Sequence, residues 1–388
     1  MEGGIAFGGG LVDEHVALMT APWFAVSSEA AKLSLQAPLI MNVDTGQLRR
    51  NDWDQPGDYS KLIRRLEVGQ WLRMGPLRDR TIGNGTIVRR YHNGTDPDHG
   101  RLAIDLIGRG KEGFLGRLAP NHLEAFADNI FHMPVFGAAA GYRKQSNFAL
   151  LSVAADLAAP NGPIGPTDDT KTPRAKRDTR LVAGISGRVR ATPPRMPVSI
   201  DVHSDLNTLD MSAYGAHLGL SLGYEDRGLW TVKGGFEAMV LGAGYTWSLF
   251  DHGYLIDRWT GLDTGLKESK FALGGRFDLQ VGYANALIIG GQFANCSQAG
   301  RADLSAFLRV PLKRVTLSAF WRVRRPRETI GVLKPKDAMV AIATQFILTS
   351  PLSAQLMVAR DWRVSEGQEV FRPTTTALFT LQLRWPKN

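Results

Sequence analysis

Charged residues two apart are the first sign of chemistry in this chain. Arg188 and Arg190, Arg276 and Asp278, and Arg322 and Arg324 are each spaced so that an extended backbone puts both side chains on one face. Reading that face along the regular stretches collects Arg188, Arg190, Arg276, Arg309, Arg322 and Arg324 against Asp201, Asp205, Glu237, Asp278 and Asp303. Basic groups outnumber acids, so a water-filled space lined by them carries a positive potential and favours anions. The same residues can instead satisfy one another as cross-strand pairs that stiffen a wall. With a four-residue turn at 311–314, Asp303 falls opposite Arg322. Both uses remain open at this point.

A second concentration lies at 71–100, a connection of roughly thirty residues holding Arg73, Arg78, Arg80, Arg89, Arg90 and His92. Gly83 and Gly85 beside β-branched Thr81, Ile82, Thr86, Ile87 and Val88 mark it as ordered. Such a segment folds inward and constricts a lumen, with Arg80, Arg89 and Arg90 at the constriction, or it stands on an outer surface facing phosphates. Gly83-Asn84-Gly85 is not a phosphate-binding loop, because no Gly-Lys-Ser/Thr follows. Asp96-Pro97-Asp98-His99-Gly100 offers two carboxylates to a hard cation but lacks the closing Glu of a calcium loop, and a Pro-Asp turn explains it. His203-Ser204-Asp205 has the residue types of a hydrolase triad, yet on a strand Ser204 faces away from the other two. Ser248 with Asp251-His252 is the better hydrolase candidate, though no oxyanion hole is evident. The aromatics around it, Tyr245, Trp247, Phe250, Tyr254 and Trp259, read as loop packing or headgroup contacts. No cofactor or metal is expected.

The elements that must position these groups are strands. From Thr374 to Trp385 apolar and polar residues alternate without a miss, and Phe379, Leu381, Leu383 and Trp385 share one face. Upstream, 213–225 sets Tyr214, Ala216, Leu218, Leu220, Leu222 and Tyr224 outward, and 269–280 sets Phe271, Leu273, Gly275, Phe277 and Leu279 outward. Aromatics at strand ends suit membrane interfaces. The opposite face is largely Ser, Thr, Gln, Arg and Asp, as in a wet lumen rather than a sandwich core. Mean hydropathy is −0.14, and no apolar run reaches the roughly eighteen residues of a transmembrane helix. Short turns near 145–146, 192–196, 225–228, 281–284, 311–314 and 350–351 interleave with long connections near 158–178, 242–268, 325–336 and 364–373.

The expected fold is therefore all-β: one transmembrane antiparallel β-barrel over 1–388, with about 18 strands in a range of roughly 16–20. In the N-terminal third, strands are expected near 14–27, 32–43, 60–70, 101–109, 134–144 and 147–157, while 113–128 holds a strand or a short helix capped by Asn121. Residues 1–12 barely provide a first strand, and Met1-Glu2-Gly3-Gly4 has no signal-peptide character, so a missing N-terminal piece is expected. The single cysteine, Cys296, excludes an intramolecular disulfide. The net charge of +9 has no basic run with interleaved aromatics, so nucleic acid is not an expected partner.

On those residues the chain resembles a Gram-negative outer-membrane β-barrel of the porin-like kind. Phe379-x-Leu381-x-Leu383-x-Trp385 resembles the C-terminal signal read by barrel-assembly machinery, although Pro386-Lys387-Asn388 follow it. Arg80 to Thr86 running on through Arg89-Arg90-Tyr91-His92-Asn93, and Ala243-Gly244-Tyr245 through Phe250-Asp251 to Arg258, resemble segments of uncharacterised barrels of myxobacteria and their relatives. The resemblance implies an outer-membrane location, contact with the bilayer and lipopolysaccharide, and passive passage of small solutes without catalysis. Its alternative is a plugged or narrow structural barrel that anchors an envelope machine.

Overall fold

The expected alternation is realised as one antiparallel sheet that closes on itself. The computed structural model describes residues 2–12, 15–49, 53, 56–93, 102–109, 120–131, 135–161, 176–193, 196–226, 228–246, 249–251, 254, 271–284, 286–297, 302–324, 338–349, 351–364 and 371–385. In chain order the strands are β1 (Glu2–Val12), β2 (His15–Ser27), β3 (Ala31–Gln36), β4 (Leu39–Asn42), β5 (Ile63–Val68), β6 (Leu72–Gly75), β7 (Val88–Arg89) and β8 (Ala103–Arg109). Then come β9 (His122–Ala127), β10 (Val135–Lys144), β11 (Asn147–Asn161), β12 (Lys176–Ala191), β13 (Val198–Leu209), β14 (Ala213–Asp226), β15 (Trp230–Leu241) and β16 (Phe250–Asp251). The last are β17 (Ala272–Tyr283), β18 (Leu287–Cys296), β19 (Asp303–Pro311), β20 (Val315–Arg324), β21 (Ala338–Thr349), β22 (Leu352–Val364) and β23 (Phe371–Trp385).

The main sheet has 21 strands, and β1 meets β23 antiparallel from Gly3↔Trp385 to Leu11↔Ala377. Closure leaves no open edge. β3 and β4 both lie against β2, as two pieces of one wall strand. The wall thus has 20 positions, one fewer than the strands of the sheet. That is two more than the eighteen expected, and the shortfall has a physical cause. β6 has 4 residues, too few for a period of two to show, whereas β5 lies within the strand expected near 60–70. β1 is a full strand of 11 residues, but Gly3, Gly4, Gly8, Gly9 and Gly10 leave it little to alternate, so the expectation of barely a strand there was wrong. The helix alternative at Asn121 is also replaced, since His122–Ala127 is a strand.

The outward residues are those the pattern selects. Tyr214, Leu218, Leu220, Leu222 and Tyr224 on β14 and Leu273, Phe277 and Leu279 on β17 are exposed around the barrel's outside. A continuous belt of this size is lipid-facing, and the molecule is an outer-membrane-type β-barrel. The short connections from β10 to β11, β14 to β15, β19 to β20 and β21 to β22 lie at one end of the barrel, here the short-turn end.

The interior departs from a wholly wet lumen. A buried apolar cluster sits inside the barrel, contributed by Leu77, Ile82, Ile87, Val88 and Tyr91 from the β6–β8 connection and by Tyr245, Leu249, Phe250 and Tyr254 from the β15–β17 connection. It packs against wall residues Phe126, Val135, Leu209, Met239 and Leu241. Within it, Tyr91 lies 5.7 Å from Phe126 and 6.5 Å from Tyr254 between ring centroids, and Phe250 lies 4.8 Å from Tyr254. The two connections meet through β7 and β16, which pair in parallel as Val88↔Phe250 and Arg89↔Asp251.

Candidate functional site

The β6–β8 connection is held in the lumen by hydrogen bonds that its own turn makes possible. Gly83 and Gly85 adopt left-handed φ of 58° and 81°, which glycine reaches at no steric cost. The turn aims Asn84 at the wall. Asn84 Nδ2 donates to Asp205 Oδ1 and Oδ2 at 3.2 and 3.1 Å and to the Gly187 carbonyl at 3.1 Å, and its Oδ1 accepts from Arg188 Nε at 3.1 Å. Two residues on, Thr86 Oγ1 accepts from Asn207 Nδ2 at 3.0 Å. Arg80 ion-pairs with Asp105 at 3.1 Å and Glu124 at 3.0 Å, and Arg89 Nη2 donates to Gln292 Oε1 at 2.9 Å on the far wall. The segment therefore spans the lumen from β8 to β18. The open choice between an inward loop and an outer hairpin resolves to inward.

The β15–β17 connection is fixed by charge at one point and by packing at another. Arg322, buried on β20, reaches Asp251 Oδ2 at 2.8 Å and Asp303 Oδ2 at 2.6 Å. Tyr245 lies against Gly215, where any Cβ would collide with its ring, so the glycine makes room for the loop. Tyr254 Oη donates to Asp156 Oδ2 at 2.7 Å.

Between loop and wall lies a cluster built on Glu237. His217 Nδ1 stands 2.8 Å from Glu237 Oε1, His203 Nε2 stands 3.3 Å from Oε2, and Arg276 also binds Oε2. The residues sit on β13, β14, β15 and β17, joined by the rung His203↔Gly219↔Glu237↔Arg276. Above the cluster is a cavity of about 220 Å³ lined by Thr81, Asn84, Arg89, Arg90, Arg188, His203, Ser221, Glu237, Arg276 and Asp278. A second lumen cavity, of about 560 Å³, lies against β2, β3, β5, β6 and β8. It is lined among others by Trp23, Lys32, Arg65, Glu67, Arg73, Arg80 and Asp105. Among the described residues no group of His, Cys, Asp or Glu is arranged to hold a metal ion.

Three of the six wall arginines singled out in the sequence are paired with acids. Arg190 binds Asp201 through Nε and Nη2, both at 2.6 Å, Arg276 binds Glu237, and Arg322 binds Asp251 and Asp303. Arg309 is exposed opposite Ser318. The register across the 312–314 turn differs by two from the one expected: Asp303 stands opposite Arg324, and Arg322 reaches it diagonally from opposite Ser305. The Arg324 side chain lies outside the described residues. Arg188 lies 5.4 Å over the Phe148 ring, and Arg90 is exposed on the cavity. Ser204 faces away from His203 and Asp205, which are buried on the lumen side. Ser248, His252, Trp247, Trp259 and the Asp96–Gly100 motif lie outside the described residues. Phe379, Leu381, Leu383 and Trp385 are exposed on the outer face of β23 beside the β1 seam. The reading of the sequence passed over His217 and the anchoring role of Asn84. The apolar run Ile82, Ile87, Val88 within an arginine-rich segment was the signal that a buried surface awaited it.

No family model matches the chain, and no curated protein matches it. Solved structures similar to it include the outer membrane protein OpdK of Pseudomonas aeruginosa, 10% identical with a TM-score of 0.41 over 99% of both chains. Pseudomonas aeruginosa OccK8 (OprE) is 8% identical with a TM-score of 0.37, over 99% of this chain and 96% of that one. The outer membrane protein OmpT of Vibrio cholerae is 8% identical with a TM-score of 0.35, over 99% and 97%. No residue, role or activity is carried over from them.

Proposed function

We propose that the protein is a porin-like outer-membrane channel through which small polar or anionic solutes diffuse passively, with no reaction catalysed. The observation that carries this is the inward loop, which brings Arg89 and Arg90 to a cavity also lined by the wall residues Arg188 and Arg276. Fixed positive charge on a constriction raises the local concentration of anions and repels cations. The terminal Phe379-x-Leu381-x-Leu383-x-Trp385 serves barrel assembly in this reading, and the outer end of the barrel meets lipopolysaccharide. Single-channel recording of the refolded protein in a planar bilayer tests it. Discrete steps with a reversal potential toward the anion in asymmetric KCl are expected, and a folded barrel that stays electrically silent would sink the proposal.

One observation favours a second reading. The apolar cluster of Tyr91, Tyr245, Phe250 and Tyr254 fills part of the lumen with tightly packed aromatic rings. A barrel closed in this way serves as a structural anchor for an envelope machine, and silence in the bilayer is what that reading expects.

A further inference from the structure

The 220 Å³ cavity has an arrangement that a simple positive constriction does not need. Its floor is two adjacent rungs of the sheet, about 7 Å apart along the strands. One rung is His203↔Gly219↔Glu237↔Arg276 and the other is Ser221↔Gly235↔Asp278↔Gln292. On the first, Arg276 is 5% exposed, and while Glu237 takes its Nη2, its Nη1 is buried with no hydrogen-bond partner among the described residues. His203 Nδ1, on the same rung, is likewise buried and unpartnered. Leaving a buried guanidinium nitrogen unsatisfied is costly unless something else fills the space beside it.

The second rung has the opposite character. Asp278 is half-buried and, among the described residues, takes no hydrogen bond or ion pair. Arg89 lies within electrostatic reach of it but donates Nη2 to Gln292 instead. Between Asp278 and Ser221 the wall has only Gly235. A Cβ there would come within 2.9 Å of Asp278 Oδ1 and 3.1 Å of Ser221 Oγ, so the glycine keeps the approach to both open. The cavity therefore sets a donor, Arg276, on one rung and acceptors, Asp278 and Ser221, on the next, where Arg89 also reaches Gln292.

We propose that this cavity is a discrete binding site for a small zwitterion, an α-amino acid with a short side chain. Its carboxylate sits against Arg276 Nη1 and its ammonium against Asp278 and Ser221 Oγ. A purely anionic solute would face Asp278 with nothing to offer it, and a purely cationic one would face the four guanidinium groups of Arg89, Arg90, Arg188 and Arg276. The volume, below the roughly 300 Å³ at which drug-sized pockets begin, restricts the occupant to a small metabolite. The inference deepens the channel reading by naming the solute class at its constriction, and it is tested without relying on current.

The experiment is a ligand-observed NMR titration of the detergent-folded full chain with L-alanine, propionate and ethylamine. The last two are alanine without one or the other charge. Alanine should bind at least about tenfold tighter than either, the worth of one charged hydrogen bond. Asp278→Asn should lower alanine to the propionate level and leave propionate within about twofold of its wild-type affinity. Gly235→Ala, which adds a methyl between Asp278 and Ser221, should weaken alanine as well. Propionate binding as tightly as alanine, alanine binding that survives Asp278→Asn, or no saturable binding of any probe would each overturn the site. Conductance without saturable alanine binding rejects this inference alone. Alanine binding by a barrel silent in the bilayer rejects the channel and leaves the site standing.

Discussion

Two stretches of the same barrel wall treat their inward faces in opposite ways. From β12 to β17 the mid-wall lumen-facing side chains are mostly buried: Ser186, Asp205, His217 and Glu237 are each 2–3% exposed. From β21 through β23 to β1 the mid-wall side chains of that face are small or uncharged and less buried. Gln345 and Gln355 are exposed, and Ala343, Met357, Thr380 and Gly8 are half-buried. The first stretch carries the charges and the two inward loops lie on it. In the second, the rung Gln345↔Gln355↔Thr380↔Gly8 carries neither, and Glu2 and Arg384 bind each other at the short-turn end. Charge on this wall is therefore largely matched by partners on the wall and on the loops, and what remains for solutes is the part the loops bring with them. A count of inward arginines overstates the field a solute meets, because Arg190, Arg276 and Arg322 are already opposed by carboxylates.

The contrast is broken most forcefully by emptying the covered side. Replacing residues 79–91 with a short Gly-Ser linker should at least about double single-channel conductance, since a barrel of this width is limited by what fills it. It should also abolish anion preference if Arg89 and Arg90 provide it. Unchanged conductance would mean that the loop does not limit the path. Next in size is the clamp. Arg322→Met leaves Asp251 and Asp303 buried together without their cation, at a cost of about 3–5 kcal/mol. Urea unfolding of the folded barrel should register it, and a loss under about 1 kcal/mol would show the triad to be solvated. The smallest effect belongs to the open side. Gln355→Arg should leave stability within about 0.5 kcal/mol, because an exposed site has little to lose. It should move the reversal potential slightly toward anions. A strong shift would place the main solute path along the β21–β1 wall.

The wall was legible in the sequence because lipid imposes a rule on every second residue. Tyr214 through Tyr224, and Phe379 through Trp385, obey it whatever lies inside the barrel. Glycines hid β1, and brevity hid β6. The interior followed no such rule. Arg89 reads alike on an outer hairpin and in a lumen, and only its pairing with Gln292, 203 positions away, distinguishes the two. Asp251 looked like half of a catalytic dyad with His252, and its place is on Arg322. Asn84 drew notice only for the glycines on either side. These contacts join residues far apart in the chain, and no local period encodes them.

The parallel pairing of Val88–Arg89 with Phe250–Asp251 bears on how the molecule comes into being. Its partners are separated by β8 to β15, so the chain must bring some 160 residues into place before the two segments can meet (Phe250↔Val88). Wall hairpins such as β10–β11 and β21–β22 need only a local turn. Long loop closures are slow and are rewarded late. The order of events that follows is a barrel that zips and inserts with its bore still vacant, and an interior that sets afterwards. Such a molecule passes through a wide-open state once in its life, during assembly, before its own loops close it down.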